Sequence, residues 1–598
     1  MRRAVLAIIL FLLFLLPAGL AAAQSSEVVS LAGTIGVDEI RPGMTGVAYT
    51  VFEGVKPEPM EVEVLGVLVN INGPKGNVIL IRLHGKKVEY TGVVAGMSGS
   101  PVYIEGKLAG ALAFRIGEFS KEPIAGVTPI REMLEINELD AAPAAPAPAS
   151  ASLRSEASPA SAPDPAWAGD VQAFASSLQP IEAPLVFSGF SEETLRRFAP
   201  QLAAAGIVPV MGMGSVSGSR QPEPLEPGSA VSAVLVRGDM NIAATCTVTY
   251  LDPKRLLACG HPILQFGHVD LPMYKARVLA TLPSPFYPFK IVNVTEPVGA
   301  FVQDRHTGIL GHFGEEAQMI PVTLSVHGAG EPKQFHYEIL NEGRITPIAM
   351  MVTVFQALFG LNAYGEDVTC RLNGHISVAG FPAVNLNNMF APGDGVPTSF
   401  MVAMAIGERF NRVYENPYVR PDIREVNLDF DLVKERRWAL MQSARTDVTE
   451  ARPGDEIVVE AVLQPYRGEP IVRQIPVRIP TSTPHGPLHI LVSDGDSLDR
   501  LRHMPQGWGR KLDMAATIAL LNDEHPNTRV YVSLLDANLE ALVGDTVMPG
   551  LPLSVMSVIE GLRRTQDMIV LAESSINEAS TPIDYAVSGA QVITINVK

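Results

Sequence analysis

The sequence predicts a mainly β protein built from several folded units, and three observations predict it. Short alternating or apolar runs, bounded by Gly, Pro, Asn and Asp, recur along most of the chain. The length, 598 residues, exceeds what one core usually holds. Residues 139–168, dominated by Ala, Pro and Ser, interrupt the pattern with little to bury and read as a linker. Hydrophobic residues at 47% and charged residues at 18% mark globular rather than disordered material. A net charge of −17 without any basic stripe argues against a nucleic-acid partner.

Residues 1–23 read as an export signal peptide. Arg2 and Arg3 precede an apolar core from Val5 to Leu16, and Ala21-Ala22-Ala23 before Gln24 suits a signal peptidase. An uncleaved anchor is the alternative, although the run is short for a span. No later segment is apolar and long enough to cross a bilayer, so the mature chain is expected to be periplasmic or extracellular. Three cysteines are too few for a disulfide framework. Cys246 and Cys259 flank a turn at Asp252-Pro253, which leaves a cross-strand bridge and two buried thiols both open.

Residues 31–138 form the first expected unit. Met60 to Val64 alternates as a half-buried strand, Asn77 to Leu83 suits a central strand, and Val88 to Val94 leads into a Gly/Ser turn. Val102-Tyr103-Ile104 and Lys107 to Phe114 are strands joined at Glu105-Gly106. Thr128-Pro129 is expected to cap a helix reaching about Glu138. Residues 169–345 form the second unit, with a helix at Ser191 to Ala205, strands around Ala230 to Val236, Ala243 to Tyr250 and Leu256 to Cys259, and an apolar helix over Ile345 to Gly360. Residues 365–485 read as a β-sandwich-like module. Residues 486–598 read as an α+β module, with helices at Lys511 to Leu521 and Ser554 to Arg564 and strands at Met568 to Ala572 and Gln591 to Val597. No internal repeat is visible.

Two segments carry candidate chemistry. In Gly96-Met97-Ser98-Gly99-Ser100-Pro101 a serine sits among small residues on a tight turn. Such a turn exposes Oγ and aims successive N–H groups into one hollow, as acyl transfer requires. Ala258-Cys259-Gly260-His261-Pro262 supplies the histidine that could act as base. His261 and His268 with Asp270, followed by His306 and His312, match no zinc spacing, so no metal is expected. Asp494-Gly495-Asp496 with Asp499 lacks the full ligand set of a calcium loop, and Asp496 or Ser497 is read as a helix cap. No cofactor is called for.

The serine stretch, with Gly106, Leu108 and Gly110 after it, resembles the nucleophile region of chymotrypsin-like peptidases. Both segments together resemble more closely the SpoIVB-type sporulation serine peptidases, which carry Gly-Met-Ser-Gly-Ser-Pro at the serine and Gly-His at the histidine. Thr307-Gly308-Ile309-Leu310-Gly311 is similar to a further segment of that family. The resemblance covers residues 40–137 and about 240–340. It implies a chymotrypsin-like double β-barrel, an exported serine endopeptidase acting on envelope or secreted proteins, and a protein or peptide substrate. It further implies Ser98 as nucleophile, His261 as base, the Gly96 and Ser98 amides as oxyanion hole, and Ala113, Phe114 and Arg115 at the edge that pairs with substrate. Gly92 falls at the floor of the specificity pocket and points to a small or apolar side chain there.

Three features depart from the family. The serine unit precedes the histidine unit, which implies a circularly permuted barrel pair or pairing between two chains. The family's aspartate has no match in Arg82-Leu83-His84-Gly85, leaving Asp270, Asp304 and Glu89 as possible acids. The family's PDZ module has no counterpart. A catalytically inactive peptidase-like envelope protein that binds or scaffolds partners, for which the C-terminal modules would serve, is the alternative reading.

Overall fold

The computed structural model describes residues 33–116, 122–136 and 178–598, apart from short breaks at 182, 213, 215–218, 285–287, 329, 362–366, 394–395, 508–511, 537–538, 544–545, 552–554, 556–567 and 572–573. The expected signal peptide, linker and helix at 554–564 therefore lie outside the described residues. The protein is mainly β.

The first unit is a closed barrel of six antiparallel strands: β1 (Thr45–Thr50), β2 (Glu58–Leu68), β3 (Val78–His84), β4 (Pro101–Ile104), β5 (Lys107–Ile116) and β6 (Ile124–Pro129). Pairing runs β1-β2-β3-β6-β5-β4 and returns to β1. The alternation of Met60, Val62 and Val64 points one face of β2 inward, where these residues meet Ile79, Ile81 and Leu83 of β3. Glu105 and Gly106, both at positive φ, close the β4–β5 hairpin. Two short helices complete the unit. α1 (Lys86–Thr91) occupies part of the run leading to the serine turn. α2 (Ile130–Leu134) is shorter than the expected helix, because Thr128 belongs to β6 rather than to a cap.

After β7 (Leu178–Pro180), β8 (Leu185–Ser188), α3 (Glu192–Ala204) and β9 (Pro209–Met211), six more strands form a ring within a larger sheet. They are β10 (Ala230–Gly238), β11 (Asn241–Leu251), β12 (Arg255–Ala258), β13 (Gly267–Leu282), β14 (Phe289–Arg305) and β15 (Gly308–Phe313). The ring runs β10-β11-β12-β15-β14-β13 and returns to β10. The two circuits share one order: first, second, third, sixth, fifth, fourth. A repeat absent from the residues is thus present in the connectivity. Ser191 caps α3 by accepting from Thr194 N–H.

The second sheet does not stop at residue 345. β17 (Lys333–Leu340) pairs with β10, and β16 (Met319–His327) pairs with β17 and, in parallel, with β20 (Ile423–Val433). β18 (Thr369–Val378) and β19 (Val384–Phe390) extend the same sheet. α4 (Thr346–Phe359), buried along nearly its whole length, packs beside α5 (Thr398–Tyr414). From Trp438 onward, two curled sheets share one core that includes Ala439, Val459, Ile490, Val532 and Ile595. The sequence-based boundary near 365 therefore falls within one continuous sheet.

Candidate active site

Ser98 lies in the gap between the third and fourth strands of the first circuit, and His261 lies in the same gap of the second. The two gaps face each other. Thr247 N–H donates to the Ser98 carbonyl at 2.7 Å. Thr247 Oγ1 donates to Gly96 O at 3.0 Å, and Thr249 Oγ1 to Gly99 O at 2.8 Å. Three carbonyls of the serine turn are thus held by β11, and Cys259 N–H donates to Thr247 O at 3.2 Å from the histidine segment. A disulfide joins Cys246 to Cys259 and ties β11 to that segment. Thr128 Oγ1 donates to Gly260 O at 2.7 Å, so the misread helix cap instead fixes the residue before the histidine.

Gly99 is required by geometry. It has φ +93, and a Cβ there would sit 1.9 Å from Thr247 O and 2.5 Å from Cys259 N. Within the turn, Ala95 N–H donates to Pro288 O, Met97 N–H to Val94 O, Gly99 N–H to Leu112 O and Ser100 N–H to Met97 O. Among the described residues, the Gly96 and Ser98 N–H groups have no acceptor. The two amides expected to form an oxyanion hole are the ones the fold leaves unused.

Ser98 has no exposed surface, and its Oγ has no partner. His261 is 4% exposed, and its Nε2 is likewise unpartnered. No hydrogen bond joins the two atoms. Nδ1 lies 2.7 Å from Pro262 O, and a carbonyl can only accept, so Nδ1 carries the proton and Nε2 the lone pair. Burial pushes the imidazole below the ordinary histidine range, partly offset by the Pro262 and Ile181 backbone. The ring is therefore neutral at pH 7, in the tautomer a general base needs.

Of the three candidate acids, Asp304 alone sits at the histidine segment. Fully buried near the end of β14, it accepts Ile263 N–H at 2.9 Å and Leu264 N–H at 2.7 Å. It organises the loop after His261 rather than the ring. Desolvation raises its pKa, and the loop amides oppose that rise. Asp270 accepts Gln318 N–H at 3.0 Å, and Glu89 accepts Gly85 N–H at 3.1 Å on the exposed side of α1. Neither meets the ring, and the backbone carbonyl of Pro262 takes the orienting place.

Ala113, Phe114 and Arg115 lie on β5, whose edge there is filled by β7 of the same chain. Among the described residues, no group of three or more His, Cys, Asp or Glu is placed to hold a metal ion. His312 pairs with Glu315, and His306 Nε2 meets Asn72 O. Asp494, not Asp496 or Ser497, caps its helix by accepting Ser497 N–H at 2.6 Å.

Sequence reasoning missed Lys290. Its N–H donates to Ala95 O at 3.1 Å, and its side chain runs past Gly96, where an added Cβ would lie 3.3 Å from Cδ. Nζ donates to Thr50 Oγ1 at 2.7 Å, and burial pushes the ammonium down to about 7. The available signal was a single cation inside the apolar run Phe289–Val292. A small cleft lies beside it, lined by Ala95, Gly96, Pro184, Thr245 and Lys290 among others.

No protein-family model, curated protein or solved structure matches the chain. Among the described residues, no helix is long and apolar enough to cross a membrane.

Proposed function

We propose that the chain is an exported serine endopeptidase of the SpoIVB type, with its two barrel halves in permuted order. The observation that carries this reading is the hydrogen-bond pattern of the serine turn. Four amides at the turn donate to backbone carbonyls, and the two flanking Met97 are free beside an unpartnered serine hydroxyl. In this reading a substrate carbonyl oxygen takes the Gly96 and Ser98 N–H groups, where developing negative charge is stabilised. Ser98 Oγ attacks the carbonyl carbon while His261 Nε2 takes its proton, then returns that proton to the leaving amine. Pro262 O holds the tautomer, and Asp304 holds the loop that presents Pro262. In this reading Ser98 Oγ and His261 Nε2 come within hydrogen-bond reach at the moment of attack. The disulfide fits an oxidising compartment beyond the cytoplasm, which supports export weakly.

The absence of a Ser98–His261 hydrogen bond favours a second reading, a peptidase-like protein that binds envelope partners without cutting them. Labelling by a fluorophosphonate probe, with hydrolysis of a broad peptide library, separates the two. The wild type is expected to label and cleave, and Ser98→Ala and His261→Ala to do neither. Equal behaviour of wild type and Ser98→Ala ends the enzyme reading.

A further inference from the structure

The edge of β5 is occupied in an unusual way. β5 spans ten residues and β4 only four, so β4 pairs with Lys107 to Ala111 and stops. The same edge continues from Ala113 to Ile116 with no strand of the barrel to cover it, and such an edge is a template for an added strand. The chain supplies one itself. β7 lies antiparallel there, with Phe114 opposite Pro180, Arg115 opposite Gln179 and Ile116 opposite Leu178. Ile181 N–H then donates to Ala113 O at 2.7 Å.

Side chains follow the backbone. Ile181 is 1% exposed and belongs to the first barrel's apolar cluster, which also holds Val94 and Met97 of the serine turn, with Val93 packed against it. Leu178 packs against the cluster of Val78, Ala113 and Phe114. The backbone of Ile181 faces the His261 ring. Three residues on, Pro184 lines the cleft beside Ala95 and Gly96. An extended strand added to a sheet edge, an aliphatic residue packed against the serine turn, and a backbone beside the histidine are contacts of the kind an endopeptidase makes with substrate.

We propose that residues 178–181 are a built-in pseudosubstrate: they fill the β5 groove in cis, keep the Ser98–His261 pair from other chains, and report a preference for extended peptides with a branched aliphatic residue in the pocket. This rests on the endopeptidase reading for what is inhibited, but not for what is bound. A tethered occupant competes at a high effective concentration, so a free peptide enters only when the segment is displaced.

Leu178→Asp with Ile181→Asp places two carboxylates where apolar contacts hold the strand. Ile181→Gly is the milder variant, in case the double change does not fold, and thermal melting monitors both. The probe is a fluorescent peptide of sequence Ser-Ser-Leu-Gln-Pro-Ile, copied from residues 176–181. In a Ser98→Ala background, where catalysis plays no part, the released variants are expected to bind it at least tenfold more tightly than the unreleased protein. With Ser98 present they are expected to react with the fluorophosphonate at least tenfold faster than wild type. Folded released variants that fail to bind the peptide overturn the proposal, and so does a measurable labelling rate that is the same in wild type and released variants. Peptide binding without labelling in any variant leaves the groove standing and removes the endopeptidase reading instead.

Discussion

Gly99→Ala tests whether the serine turn is held by the histidine half. The new methyl would lie 1.9 Å from Thr247 O and 2.5 Å from Cys259 N, against an ordinary C···O approach of about 3.3 Å. The turn must therefore retreat by more than 1 Å on the order of ordinary contact distances. That retreat breaks or weakens the bonds from Thr247 N–H to Ser98 O, from Thr247 Oγ1 to Gly96 O and from Thr249 Oγ1 to Gly99 O. Three hydrogen bonds at about 1 kcal/mol each add to about 1–3 kcal/mol for a methyl at φ +93. The expected loss is about 4–6 kcal/mol, much of the stability of an ordinary domain. Activity should fall at least ~10²-fold, since a misplacement of about 1 Å at a reacting group costs that much. Gly43→Ala is the control. Gly43 also has positive φ, +82, but no atom lies within 4 Å of an added Cβ, so only the backbone strain of about 1–2 kcal/mol applies. Urea denaturation followed by circular dichroism gives the stabilities, and fluorophosphonate labelling gives the site. Equal losses in the two variants, or wild-type labelling in Gly99→Ala, would refute the docking argument.

The labelling rate should hold its plateau as pH falls to the ordinary histidine range near 6.5 and decline only below it, because burial lowers the His261 pKa; an acid limb above pH 7 contradicts the assigned base. Lys290→Met should raise stability at neutral pH by a few kcal/mol on the order of the pKa shift. Between about 7 and 10.5 the folded wild type binds fewer protons at Lys290 than the unfolded chain does. Wild-type stability should therefore rise with pH across that window, and the variant should lose the slope; calorimetry across pH reads both. Replacing Cys246 and Cys259 by alanine opens a 13-residue separation and should cost about 2–4 kcal/mol in thermal unfolding. Thr249→Val keeps the shape of the side chain but leaves Gly99 O unpaired, for an expected loss of about 1–3 kcal/mol in the same measurement.

What was legible in the sequence was local. The helix expected over Ser191 to Ala205 is α3, and the apolar stretch after Ile345 located α4. Glu105-Gly106 marked a hairpin because Gly106 adopts positive φ readily. The small residues around Ser98 marked a turn for the same reason, and the cysteines flanking Asp252-Pro253 gave a bridge as one of two options. What escaped notice depended on partners far along the chain. Thr128 looks like a cap until Gly260, 132 residues away, takes its hydroxyl. The parallel pairing of β16 with β20 carries the second sheet across an expected boundary, and no local pattern encodes it. Asp304 could be named as a candidate acid, but its partners are main-chain amides, which have no sequence signature. Lys290 is unremarkable in composition and unusual only in its burial. The shared order of the two circuits stayed hidden because different residues build the same connections.

That shared order separates covalent continuity from recognition. Each half completes its own circle of strands, so neither borrows a rung from the other to stay closed. A cut between residues 138 and 169 would turn one polypeptide into two complementary parts, and reassembly would become a matter of molarity. Split reporters, exchange of halves between copies, and re-splicing in the opposite order all become routes by which this scaffold can be rewired.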